Sequence, residues 1–173
     1  MARIIWKEGD IVNIKLRNDL YTIGILLVDP YIMLFDLSNT NGEWENIDLD
    51  KVPTLFCVLI GRDFLQHSVI SKIKKGVKIA KKVEVPKYWL RPIDNYDGKN
   101  TWKNAQLIEV DPRIGTYYGK VIQKLVTSKD KEIIKKYELT NMYGSEDLNE
   151  RLIHYFDTNE NIDSLKDEIF QAF

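Results

Sequence analysis

The side chains that could carry covalent chemistry are few and scattered. His67 and His154 are the two histidines, and neither has a metal-ligand spacing around it. We read both as solvated or internally satisfied imidazoles. Ser68 follows His67, but the glycine-flanked elbow of a nucleophilic serine is absent. Cys57, the one cysteine, sits in the apolar run Thr54-Leu55-Phe56-Cys57-Val58-Leu59-Ile60 and reads as a small buried hydrophobe. Gly115-Thr116-Tyr117-Tyr118-Gly119-Lys120 superficially suggests a phosphate loop, lacks the P-loop spacing, and reads as a strand entry. Carboxylates are plentiful, on helix faces and polar loops where solvation accounts for them. We therefore expect no catalytic residue, no metal and no cofactor: a protein that binds rather than an enzyme.

Two charged motifs point to binding. The first is the loop Ser38 to Val52, long for a compact domain, with Glu43, Trp44 and Glu45 followed by Asp48 and Asp50. A large amphipathic aromatic among acids is the composition of an interface anchor that steers a basic partner. The same tryptophan is equally suited to fold back as a lid on the sheet, and the sequence leaves both roles open. The second motif is a basic run, Lys72, Lys74, Lys75, Lys78, Lys81 and Lys82, interleaved with Ile73, Val77, Ile79 and Val83. Beside Tyr88 and Trp89 it is a candidate for phosphate contact and base stacking. We favour a solvated edge in which lysine discourages aggregation.

Bulk properties narrow the classes further. With 25 Lys and Arg against 26 Asp and Glu in 173 residues, the net charge is −1, which argues against gripping long nucleic acid by charge alone. From Ser145 onward eight acids face only Arg151 and Lys166, a local charge of −6. The apolar runs around Ile23 to Val28 and Leu55 to Ile60 fall short of the roughly 20 residues of a membrane helix, and the first residues do not form a signal peptide. A cytoplasmic protein is expected. The oligomeric state is left open.

The elements that carry these motifs are read from periodicity. Ile11 to Leu16 alternates, with Val12, Ile14 and Leu16 on one face and Asn13 and Lys15 on the other. After the turn Arg17-Asn18-Asp19, Leu20 to Val28 is apolar on both faces, the mark of a central strand. Asp29-Pro30 turns into Tyr31 to Leu37, and Pro53 opens Thr54 to Ile60. Asp63 to Ile73 has near-helical spacing, with Gly76 as its stop. Val83 to Asn104, with Asp97-Gly98, suggests extended chain and turns. Ala105 to Val110 and Tyr117 to Val126 read as strands. A helix capped at Thr127 or Ser128 would carry Ile133, Ile134, Tyr137 and Met142 and end at Gly144. Ser145 would cap a second, and Asn159 or Asn161 a third with Ile162, Leu165, Ile169, Phe170 and Phe173. The fold class is α+β: an N-terminal antiparallel meander forming a curled sheet or partial barrel, with a helical C-terminal region. We divide the chain into a β-rich core, 1–126, and a helical region, 127–173, packed on the same domain.

The meander has a family resemblance. Glu8-Gly9-Asp10-Ile11-Val12-Asn13-Ile14, Tyr21-Thr22-Ile23-Gly24-Ile25-Leu26 and Ile32-Met33-Leu34-Phe35-Asp36-Leu37 resemble the opening of the bacterial immunity protein 26 type family, encoded beside polymorphic toxins. Phe56-Cys57-Val58-Leu59-Ile60 and Pro86-Lys87-Tyr88-Trp89 are similar in order and spacing, so the resemblance covers roughly residues 8–95. It implies a cytoplasmic immunity protein that binds one cognate toxin and occludes its active site. Were that toxin a nuclease, its basic groove would receive acidic loops in place of phosphates. On this reading Glu43, Trp44, Glu45, Asp48 and Asp50 contact the toxin. The alternative is a small-barrel module that binds nucleic acid through Lys72 to Lys82.

Overall fold

The computed structural model describes residues 4–94 and 102–170. In chain order the strands and helices are β1 (Ile11–Arg17), β2 (Leu20–Leu26), β3 (Tyr31–Asn39), β4 (Ile47–Asp48), β5 (Thr54–Ile60), α1 (Arg62–His67), β6 (Val69–Lys72) and β7 (Val77–Lys78). These are followed by β8 (Tyr88–Asp94), β9 (Trp102–Glu109), β10 (Lys120–Val126), α2 (Lys131–Lys136), β11 (Met142–Tyr143), α3 (Ser145–Thr158) and α4 (Ser164–Phe170). The chain folds as two compact units, Met1–Val85 with Met142–Ile162, and Pro86–Asn141 with Asp163–Phe173.

The first unit is a curled six-stranded half-barrel in the order β11-β5-β3-β2-β1-β6, so the α+β class with a partial barrel holds. β2 lies between β3 and β1, which is why it is apolar on both faces. Gly24 in β2 is needed by its neighbours: a Cβ there would stand 2.7 Å from Ile32 Cδ1 and 3.2 Å from Ile14 Cδ1. The alternation of β1 puts Val12 and Ile14 in the core at 0% exposure, together with Leu34, Val58, Phe64, Leu148 and Leu152.

The expected helix over Asp63 to Ile73 is half right. It stops at His67, and Val69–Lys72 becomes β6, pairing antiparallel with β1 through Ile14↔Val69 and Val12↔Lys72. Burying branched Val69 against the open edge of β1 outweighs extending a short helix that has no further apolar stripe.

The C-terminal third departs further. α2 is only six residues long, and Met142 belongs to β11, which adds parallel to β5 with Met142↔Leu59 and Tyr143↔Ile60. Gly144 precedes α3 instead of ending a helix. Ser145 is the first helical residue, and its N–H donates to Asp63 Oδ2 at 2.7 Å, so the capping acid comes from α1. The last helix begins at Ser164, after Asp163, whose Oδ1 accepts from the N–H groups of Leu165 and Lys166. Asn159, with φ +63°, terminates α3. Ile162 is 43% exposed and outside the stripe. Of the described residues from 127 onward, 142–162 group with the first unit and 127–141 and 163–170 with the second.

The second unit is the antiparallel sheet β10-β9-β8, with α4 packed on β9 and α2 joining its core through Ile134. Leu90, Ala105, Val126, Ile134, Leu139 and Phe170 form its core. Phe173 and Asp97-Gly98 lie outside the described residues.

Candidate functional site

The loop after β3 is built by two asparagines. Asn39 accepts from Gly42 N–H through Oδ1 at 2.7 Å and donates from Nδ2 to the Glu43 carbonyl at 2.7 Å. Asn13, on the expected polar face of β1, is itself buried: its Nδ2 donates to the Gly42 carbonyl at 2.9 Å, and its Oδ1 accepts from Trp44 Nε1 at 3.0 Å. Trp44 is 8% exposed. Of the two roles the sequence left open, the lid is the one the structure shows. A buried indole whose N–H is satisfied from within cannot anchor a partner without first leaving the fold.

Asp48 and Asp50 are also turned inward on the chain. β4 pairs parallel with β7, Ile47↔Val77 and Asp48↔Lys78, and Ile47 N–H donates to the Gly76 carbonyl at 2.9 Å. Asp48 Oδ2 lies 3.4 Å from Lys78 Nζ and 3.8 Å from Lys51 Nζ. The Asp50 carboxylate accepts from the N–H groups of Lys81 and Ala80, both at 2.9 Å. The acidic loop and the basic run are thus partners of each other. Lys72 pairs with Asp10, and Lys82 lies 2.7 Å from Glu84. Glu43, Glu45, Lys74 and Lys75 keep exposed side chains. These exposed ion pairs each contribute little; the tryptophan and the backbone bonds hold the loop.

The Lys81 and Ala80 N–H groups hold the Asp50 carboxyl below the ordinary 3.8. A depressed carboxyl stabilises the loop above its ordinary pKa and ceases to do so as pH falls through the lowered value. We therefore expect the amide resonances of Ala80 and Lys81 to titrate together below pH 3.8. In Asp50→Asn that step should vanish and both amides should exchange faster; titration unchanged in Asp50→Asn would remove the carboxylate from this role.

Elsewhere the chemistry is sparse. Cys57 is buried, and burial pushes the neighbouring Tyr31 phenol up to about 12. His154 Nε2 is 3.9 Å from Glu160 Oε2, and no cluster suited to a metal ion occurs among the described residues. In the first unit Ile4, Trp6, Asp29, Ile60, Arg62 and Leu65 line an open cleft of about 210 Å³. That is below the roughly 300–1,000 Å³ of ordinary small-molecule sites.

The second unit carries a different surface. Asp111 organises the turn after β9: its carbonyl accepts from Ile114 and Gly115 N–H, both at 3.0 Å, and its Oδ1 accepts from Arg113 N–H at 3.0 Å. Thr116–Tyr118 is one turn of 3-10 helix, and β10 begins only at Lys120, later than the expected Tyr117. Arg91 Nη1 donates to the Tyr117 carbonyl at 2.9 Å, and its Nη2 donates to Gln106 Oε1 at 2.7 Å. Tyr117 and Tyr118 stand edge to face, 5.1 Å apart, and are 81% and 74% exposed. Ile114, Ile122 and Leu125, close by in the chain, are exposed as well.

Comparison with known proteins adds one relation: a family model matches residues 1–173, the full length of the chain. The chain belongs to DUF8309, a domain of unknown function. No curated protein and no solved structure matches it. Within this DUF8309 chain the surface of residues 113–125 was missed by sequence reasoning, although one signal was there. Between Asp111 and Asp130 the sequence has Arg113, Lys120, Lys124 and Lys129 and no acid.

Proposed function

We propose that this DUF8309 protein is an immunity protein, one that binds a cognate toxin and occludes its active site without performing chemistry on it. The observation that carries the reading is the concentration of exposed large apolar side chains. Six of the ten such residues among the described ones lie between Ile114 and Leu125. Such clustering marks a surface that meets another protein. The segments that resemble immunity proteins form β1, β2, β3 and β5 of the first unit and the start of β8 in the second, a sheet framework without a catalytic role in this reading. Nucleic-acid binding through Lys72 to Lys82 is less well supported, since Lys72, Lys78, Lys81 and Lys82 already have acidic or carbonyl partners.

The test is co-expression with the product of the adjacent gene, followed by co-purification and assay of its toxicity. The expected result is a stable complex and relief of toxicity. Charge reversal of the exposed pair, Glu43→Lys with Glu45→Lys, should change affinity by no more than about threefold, as for charges outside an interface. Toxicity undiminished by the wild-type chain, with no complex recovered, would refute the reading.

A further inference from the structure

We propose that residues 113–125 form the face that docks the partner, and that the partner presents an apolar patch rimmed by carboxylates. This rests on the binding reading above and specifies its surface and chemistry. The centre of the face is apolar and aromatic: Tyr117, Tyr118, Ile114, Ile122 and Leu125 are between 47% and 81% exposed. Within residues 113–125 every charged side chain is a cation, and the acid at the edge, Asp111, has its Oδ1 taken up by Arg113 N–H. Lys120 and Lys124 are exposed within the face, and Arg113 and Lys129 flank it. Glu109, the residue across the sheet from Lys120, is occupied by Lys87 Nζ at 3.0 Å. An apolar centre with a cationic surround is complemented by an apolar centre with an anionic one.

The turn is also set before any partner arrives. Arg91 holds the Tyr117 carbonyl, and Asp111 holds three N–H groups of the turn. Docking on such a turn loses little backbone freedom.

Two other occupants fit less well. β10 is an edge strand, so a second copy of the chain would add antiparallel to it. Pairing centred on Ile122 sets Lys120 against Lys124 twice, like charge facing like charge. The strand also carries register shifts between Val121 and Gln123 and between Gln123 and Val126, which spoil an edge for strand addition. Nucleic acid would use the tyrosines and lysines and leave Ile114, Val121, Ile122 and Leu125 against water.

The test titrates the full chain and its variants against the product of the adjacent gene by calorimetry. Tyr117→Ala with Tyr118→Ala is expected to weaken binding at least about 30-fold, and Ile122→Asp with Leu125→Asp at least about 100-fold. Lys120→Glu with Lys124→Glu should weaken binding about 10-fold, and added salt should weaken the wild type in the same direction. The tyrosine pair lies in a turn on exposed side chains, so its thermal unfolding should match the wild type. Wild-type affinity in all three double variants overturns the docking face and leaves the binding reading standing. No binding by the wild type overturns both. A wild-type dimer dissociated by Ile122→Asp assigns the face to a second copy. Capture of a single-stranded RNA oligomer, lost with the tyrosines, assigns it to nucleic acid. Either result overturns the proposal.

Discussion

Gly76→Ala is expected to destabilise the first unit by about 3 kcal/mol and to release the Trp44 loop. Gly76 has φ +83°, a conformation that costs a side-chain-bearing residue about 1–2 kcal/mol. Space is the larger obstacle. A Cβ at this position would lie 2.0 Å from the Trp44 carbonyl oxygen and 3.1 Å from its carbon. Those are backbone atoms, so the clash cannot be relieved by a rotamer change. It must part β7 from β4, whose bridge includes the Ile47 N–H bond to the Gly76 carbonyl. Gly115→Ala is the control: its φ is +99°, yet nothing lies within 4 Å of the added carbon. It should show the conformational cost without the clash. Urea unfolding gives the energies, and exchange of the Ile47 amide shows whether the loop has opened. A loss at Gly76 no larger than the about 1–2 kcal/mol of its backbone conformation alone would mean that the contact with Trp44 contributes nothing.

The second large effect is expected at Trp44 itself. Trp44→Ala should cost about 3–5 kcal/mol, the usual range for removing a buried aromatic. Trp44→Phe keeps much of the packing but leaves Asn13 Oδ1 buried without its donor, which should cost about 1–3 kcal/mol. The order of the two variants separates packing from hydrogen bonding. At temperatures where both remain folded, binding to the partner should be retained. An interface anchor behaves in the opposite way: Trp44→Ala would leave unfolding unchanged and abolish binding.

These two positions also show where sequence is informative. β1 was legible from its two-residue alternation, and β2 and β3 from apolar, branched and aromatic runs set off by turn residues such as Asn18-Asp19, all signals that act locally. The apolar character of both faces of β2 even placed it inside the sheet. The bridge between β4 and β7 was not legible. Strands of two residues have no period, and Asp50 meets Ala80 and Lys81 thirty residues later in the chain. Two charge clusters that invite separate functions in a linear reading are joined in three dimensions through Asp48 with Lys78 and Asp50 with Ala80 and Lys81. Asn13 shows the same limit, because alternation assigns an amide to the solvent face and only the later loop buries it.

The divided C-terminal third was hidden for another reason. α3 and α4 have the same amphipathic pattern, and nothing in that pattern says that Leu148 and Leu152 join one core while Ile169 and Phe170 join the other. Val69 to Lys72 suits a helix or a strand equally well until the open edge of β1 is seen. The surface of residues 113–125 was visible as a charge anomaly, four cations without an acid, but its exposure depends on β10 being an edge.

Hydrogen exchange on the complex with the adjacent-gene product locates the docking face. Amides across residues 113–125 should slow on binding, while residues 43–50 and 76–82 exchange as they do in the unbound chain. New protection confined to residues 43–50, with residues 113–125 unchanged, would contradict that expectation.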